Sequence, residues 1–243
     1  MSTILFSQDL VIKNGAPTSS LIELYSSEGC SSCPPAEEWL NRYKTSSDLW
    51  TTIFPIAFHV DYWDGLGWPD RFARAEYTQR QRDYAARLGQ DSVYTPEFVV
   101  NGQEWRRTWL VSGLPSGGGE KTGSLSMTVH AKEKSISTSY SSGSNGQGQS
   151  LMLNVAFLGF NVVTDVKRGE NGGRKLEHDF VVLDFKQVPL TSIGNGNFTA
   201  EPVAIQSNTD DQPGAVVAWV SRADGSIAQI AGGWLSSADH PTR

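Results

Sequence analysis

The chain has 243 residues, 38% of them apolar, with eight tryptophans and a formal net charge of −6. That supplies a core for one large domain or two small ones, and the negative balance gives no general reason to bind nucleic acid or an anionic membrane. The longest apolar runs, such as Ile53 to Val60, fall far short of the roughly 18 residues a spanning helix needs, so no membrane span is expected.

The first residues, MSTILFSQDLVIKNGAPTSS, have neither a basic n-region nor a long apolar h-region. They read as lacking a signal peptide: either a cytosolic chain, or one whose leader was replaced by a starting Met. Leu21 to Tyr25 is a short apolar run with the character of a buried strand. PPAEEWLNRYK follows with helical spacing, Ala36, Trp39, Leu40 and Tyr43 sharing a face. A second strand is expected from about Ile53 to Asp61, then a polar, aromatic loop, then a helix from about Pro69 to Leu88 ending at Gly89. SVYTPEFVVNGQEW reads as extended, and its Asn101-Gly102 is a strong hairpin signal. A last helix is expected over Trp105 to Val111.

Gly/Ser-rich SGLPSGGGEKTGS then reads as a linker. Beyond it, SLSMTVHAKEKSIST, SLMLNVAFLGF, FVVLDFKQV and GAVVAWVSR look like strands between Gly/Asn/Ser turns, and SSGSNGQGQ like a flexible loop. The expected organisation is an N-terminal α/β domain (1–112), a linker (113–124) and a small antiparallel sandwich-like domain (125–243), α+β overall.

The chemistry centres on Cys30-Ser31-Ser32-Cys33, the only two cysteines of the chain. Two cysteines cannot staple a chain of this length, and the loop they close is too small to contribute much chain entropy. Placed between a strand and a helix, they meet the unsatisfied N–H groups and partial positive charge of a helix start, which favour a thiolate. Pro34 and Pro35 fit only in a first turn, so they fix that start at the cysteines. Cys30 is expected to be the more exposed, attacking thiol, and Cys33 the buried, resolving one. A metal site is the rival reading. Two thiolates with His59 make three ligands, short of a closed structural zinc site but open to copper(I). An interaction module that has lost its chemistry is the third alternative.

Strand, C-x-x-C helix, strand, helix and Thr95-Pro96 strand hairpin, over about Leu21 to Val111, resembles the thioredoxin superfamily. That resemblance implies a cis-Pro96 beside the dithiol. More narrowly, ELYSSEGCSSCPPAEEWL, FHVDYWDGLGWPDRFA, YTQRQRDYA, VYTPEFVVNG and RGENGGRKLEHDFVV look like an uncharacterised thioredoxin-like family of exported bacterial proteins. The dithiol itself reads as a site of thiol–disulfide exchange with a protein or small-molecule disulfide or dithiol, without a cofactor. The family resemblance implies a thioredoxin-like N-terminal domain and a periplasmic or secreted location. It implies no particular substrate. Whether the pair works as oxidant, reductant or isomerase, and how the chain assembles, is not written in these motifs.

Other residues are candidates beside the pair. His59 and Asp61, at the end of the second strand, read either as a proton shuttle or metal ligands or as a pair that anchors the following loop. Glu23 reads either as a buried base for Cys33 or as half of a salt bridge. Thr95 stands with Pro96 at the substrate strand. Tyr62, Trp63 and Trp68 make either a platform for a partner polypeptide or a lid packed on the domain. Arg71, Arg74, Arg80, Arg82 and Arg87 read as a solvated helix face. His178 stands before a strand with no partner that the sequence names.

Overall fold

The structure is a computed structural model that describes residues 9–106, 121–143 and 150–236. Its centre is an eight-stranded sheet. The N-terminal part of the chain supplies β2 (Ser20–Ser26), β3 (Ile53–His59), β4 (Glu97–Val100) and β5 (Gln103–Glu104). The C-terminal part supplies β8 (Leu151–Gly159), β11 (Val181–Pro189), β15 (Ala215–Arg222) and β16 (Ile227–Trp234). The order is β16-β15-β8-β11-β3-β2-β4-β5, with β2 and β3 parallel and β4 antiparallel to β2. The two parts join where β11 meets β3, parallel, at Val181 and Ala57.

A second sheet holds β1 (Leu10–Asn14), β6 (Ser124–His130), β7 (Ser135–Ser141), β12 (Thr191–Gly194), β13 (Asn197–Thr199) and β14 (Val203–Ala204). A small ribbon pairs β9 (Val162–Asp165) with β10 (Lys175–His178). The expected division into two bodies therefore does not describe the sheets. One sheet runs through both parts, and β1, from the N-terminal part, pairs with β6. The expected linker lies mostly outside the described residues, as do most of the expected helix to Val111 and most of the loop at Ser141 to Gln149. Trp105 and Arg106 are not helical.

Side-chain alternation explains how one sheet serves two cores. Successive residues of a strand face opposite sides. On β15, Ala215, Val217 and Trp219 join the core under the helices, while Val216, Ala218 and Val220 join the core against the second sheet. β8 does the same: Ala156 and Leu158 face one way, Leu151, Leu153, Val155 and Phe157 the other. A strand buried on both faces reads as a continuous apolar run, which is what GAVVAWV is.

The helices are α1 (Pro34–Asn41) and α2 (Ala75–Leu88). Pro34 and Pro35 occupy the first two positions of α1, where no intrahelical N–H is lost. α2 begins later than the expected Pro69. Arg74 is extended, and the Asp70 carboxylate accepts the Phe72 N–H in a turn before it. Gly89 closes α2 in the left-handed conformation, and Asn101 and Gly102 both take positive φ in the tight β4–β5 hairpin. Among the described residues no helix is long and apolar enough to cross a membrane.

Because the central sheet is shared, the chain is expected to unfold in urea in one transition, coincident by fluorescence and circular dichroism. Phe157→Ala, cutting the core between the sheets, is expected to lower its stability by about 3–5 kcal/mol without splitting that transition. Two separated transitions would contradict the shared-sheet architecture.

Candidate functional site: a buried disulfide over a histidine–carboxylate cluster

Cys30 and Cys33 form a disulfide. β2 ends at Ser26, the chain turns with the Cys30 N–H donating to the Ser27 carbonyl, and Cys33 caps α1. The pair thus lies at a helix start, as expected. Its exposure differs from the expectation: Cys30 and Cys33 are equally and completely buried. The loop between β9 and β10 supplies cover. Glu170 accepts the Ser31 N–H and hydroxyl at 3.1 and 2.7 Å. The Asn171 amide donates to the carbonyls of Glu28 and Cys30, both at 2.9 Å. From the other side, Trp63 packs so closely on Gly29 that a Cβ there would meet it at 3.1 Å.

Trp63 also donates through Nε1 to Thr95 Oγ1 at 2.8 Å, which ties the loop before Cys30 to the strand of Pro96. The Thr95–Pro96 bond is cis. Tyr62 donates to Gln81 Oε1 at 3.3 Å, and Trp68 Nε1 to Glu28 Oε2 at 2.7 Å. All three aromatics are half-buried and committed to partners within the chain, the arrangement of a packed lid.

Five ionisable side chains gather below this loop, all buried: Glu28, Glu37, His59, Asp70 and His178. His178 holds Glu37 Oε2 at 2.6 Å through Nδ1 and Glu28 Oε1 at 3.2 Å through Nε2. His59 Nδ1 lies 2.6 Å from Asp70 Oδ2, which also accepts the Glu28 N–H at 2.8 Å. The Ser26 hydroxyl donates to Glu37 Oε1. The two imidazoles and Phe72 pack edge to face.

Electrostatics follow from these contacts. Burial alone would pull His178 down, but Glu37 and Glu28 outweigh it and hold the imidazole up at about 10. Burial likewise opposes the charge on His59, and Asp70 with Glu37 raises it above its ordinary value. Burial would push Glu37 and Asp70 up, yet His178 holds Glu37 below the usual carboxylate range and His59 does the same for Asp70.

The remaining candidates are sorted by their partners. His59 pairs with Asp70, whereas Asp61 accepts the Thr78 hydroxyl at 2.6 Å, so the two do not form a pair and Asp61 anchors the loop to α2. Glu23 is half of a salt bridge. Arg80 holds it at 2.8 and 3.1 Å, and the Tyr84 and Tyr25 hydroxyls donate to it. Arg80 in turn sits over the rings of Phe58, Tyr84, Phe185 and Trp219, with its side chain only 14% exposed. It does not belong to a solvated face. Sequence reasoning missed Glu37, Asp70, Glu170 and Asn171 as site residues, and it had no partner for His178. For Glu170, Asn171 and His178 the signal was present in RGENGGRKLEHDF, quoted mainly for its resemblance.

With this geometry in view, one family matches residues 21–221, described as "Protein of unknown function (DUF1223)". The chain belongs to this family. Two solved structures share its fold. A crystal structure of an Agrobacterium tumefaciens protein is 24% identical, covering 90% of this chain and 94% of its own, with a TM-score of 0.58. HBP35 of Porphyromonas gingivalis is 18% identical, covering 92% of this DUF1223 chain and 77% of its own, with a TM-score of 0.62. No curated protein matches.

The covering loop of this DUF1223 protein makes a specific expectation. Asn171→Ala leaves two carbonyls without their donor, which is expected to cost about 1–3 kcal/mol and to speed reduction of the disulfide by dithiothreitol. Glu170→Ala is expected to speed reduction with little change in melting temperature, since its contact is exposed. Thiol appearance after timed quenching checks both, and reduction rates equal to wild type in both variants would show that the loop does not limit access.

Proposed function

We propose that this DUF1223 protein is an exported, thioredoxin-like thiol–disulfide oxidoreductase that uses the Cys30–Cys33 pair. The observation that carries the reading is the disulfide at the start of α1, directly after β2. The strand that follows Pro96, β4, runs antiparallel to β2, which adds support. A periplasmic or secreted setting is one in which such a pair can exchange with protein disulfides.

In the reducing direction, the Cys30 thiolate attacks one sulfur of a substrate disulfide, and the other substrate sulfur leaves as a thiolate. The Cys33 thiolate then attacks Cys30 Sγ, closing the Cys30–Cys33 disulfide and expelling the remaining substrate thiolate. Two electrons pass to the substrate, and the two protons of the dithiol pass through solvent to the thiolates released. The same steps run backwards oxidise a substrate dithiol. The helix start favours the Cys30 thiolate, and Glu28, whose charge would oppose it, is compensated by His178. Thr95 and Pro96 would align an extended substrate backbone, entering once the Glu170–Asn171 loop and the Trp63 lid part.

Cys33→Ser is expected to accumulate mixed disulfides through Cys30 when mixed with a disulfide-bonded protein substrate. Cys30→Ser is expected to trap almost none. Non-reducing electrophoresis with mass mapping reads the outcome, and trapping through Cys33 alone, or by neither variant, would remove the assignment.

A further inference from the structure

We propose that Glu37, His59 and His178 form a binding site for one divalent transition-metal cation of the zinc class, separate from the two cysteines. One donor atom from each residue lies within 4.8 Å of the other two, and all three residues are buried. The second, independent observation is His59 Nε2. It is fully buried, lacks a hydrogen-bond partner and points toward Glu37 Oε1 at 4.0 Å. A buried ring nitrogen left without a partner is a costly feature, and it is aimed at the other two donors.

The surroundings match those of metal-bound histidines, whose second ring nitrogen is held by a carboxylate. Asp70 takes His59 Nδ1 at 2.6 Å and so orients the ring with Nε2 turned into the cluster. Glu28 takes His178 Nε2 at 3.2 Å, which leaves Nδ1 facing Glu37. Ser26 holds Glu37. Each donor thus has its own supporting contact.

The place and the charge agree. Ser26 and His59 are partners at the carboxyl ends of the parallel strands β2 and β3, where open α/β sheets bind their ligands. Three buried carboxylates, Glu28, Glu37 and Asp70, face two imidazoles, so the cluster needs positive charge. Protons or a dication can supply it. On loading, the proton shared by His178 Nδ1 and Glu37 and the proton carried by His59 Nε2 leave to solvent, and the two freed lone pairs bind the cation. Two imidazoles and a carboxylate suit zinc and its first-row neighbours and do not suit copper(I), which prefers sulfur. Such a cation takes donors at about 2.0–2.2 Å, and the three donor atoms already lie within 4.8 Å of one another.

The test uses the full chain with its disulfide intact, stripped with a chelator, titrated with zinc by calorimetry and with cobalt(II) by visible absorption. One equivalent is expected, with cobalt d–d bands and no thiolate charge-transfer band, and a Cys30→Ser/Cys33→Ser double variant is expected to bind equally. Asp70→Asn is expected to weaken binding about 10–100-fold, and His59→Gln to abolish it. Should His59→Gln fail to fold, the wild-type cobalt spectrum and the Asp70→Asn affinity still decide. Absence of a stoichiometric site overturns the proposal, as do a thiolate band, loss of binding in the cysteine-free variant, or undiminished binding in a folded His59→Gln. The cysteine-free arm keeps this outcome distinct from that of the oxidoreductase reading.

Discussion

Charge compensation in a buried place is the constraint on which the rest of this structure depends. Glu28, Glu37 and Asp70 lie out of water, and an isolated buried carboxylate is prohibitively costly. His178 and His59 resolve that cost, and in doing so they fasten together parts of the chain far apart in sequence. Glu28 precedes Cys30, Glu37 is on α1, His59 ends β3, Asp70 lies before α2, and His178 ends β10 in the C-terminal part. Removing one member strands the charge of another, a loss of about 3–5 kcal/mol in comparable buried pairs. The cluster therefore fixes both the loop that presents the disulfide and the docking of the ribbon that covers it.

The same logic recurs at Glu23, where Arg80 and two tyrosine hydroxyls neutralise a carboxylate inside β2 and the guanidinium is sandwiched among aromatic rings. Such buried pairs add little net stability, because desolvation offsets much of the attraction. Net stability comes from the two apolar cores on the faces of the shared sheet. The division of labour is clear in β15, whose alternate residues feed both cores while its neighbours set the register.

Much of the local structure was legible in the sequence because it is decided locally. The apolar run at Leu21 to Tyr25, the prolines at 34 and 35, Gly89 and Asn101-Gly102 each state their conformation through sterics or periodicity. The position of the cysteines at a helix start followed from the same signals. What was not legible required knowing which distant segments meet. The pairing of β11 with β3 rests on contacts between residues more than a hundred apart, and so do His178 with Glu37 and Asn171 with Cys30. The burial of Cys30 escaped notice because its cover comes from that distant loop, and Arg80 looked solvated because helical spacing does not reveal a buried anion opposite. His59 was found, but its partner Asp70 lay beyond the nearer Asp61, across a turn that periodicity does not resolve.

Either the covered disulfide over the charged cluster is a working redox pair, as proposed, or it is an inert link. The reduction potential of Cys30–Cys33, measured by equilibration in glutathione and dithiothreitol buffers, tests the proposal most directly. A working pair is predicted between about −120 and −270 mV, the span of known dithiol oxidants and reductants. A value below about −300 mV, where structural disulfides resist the glutathione pool, would contradict it.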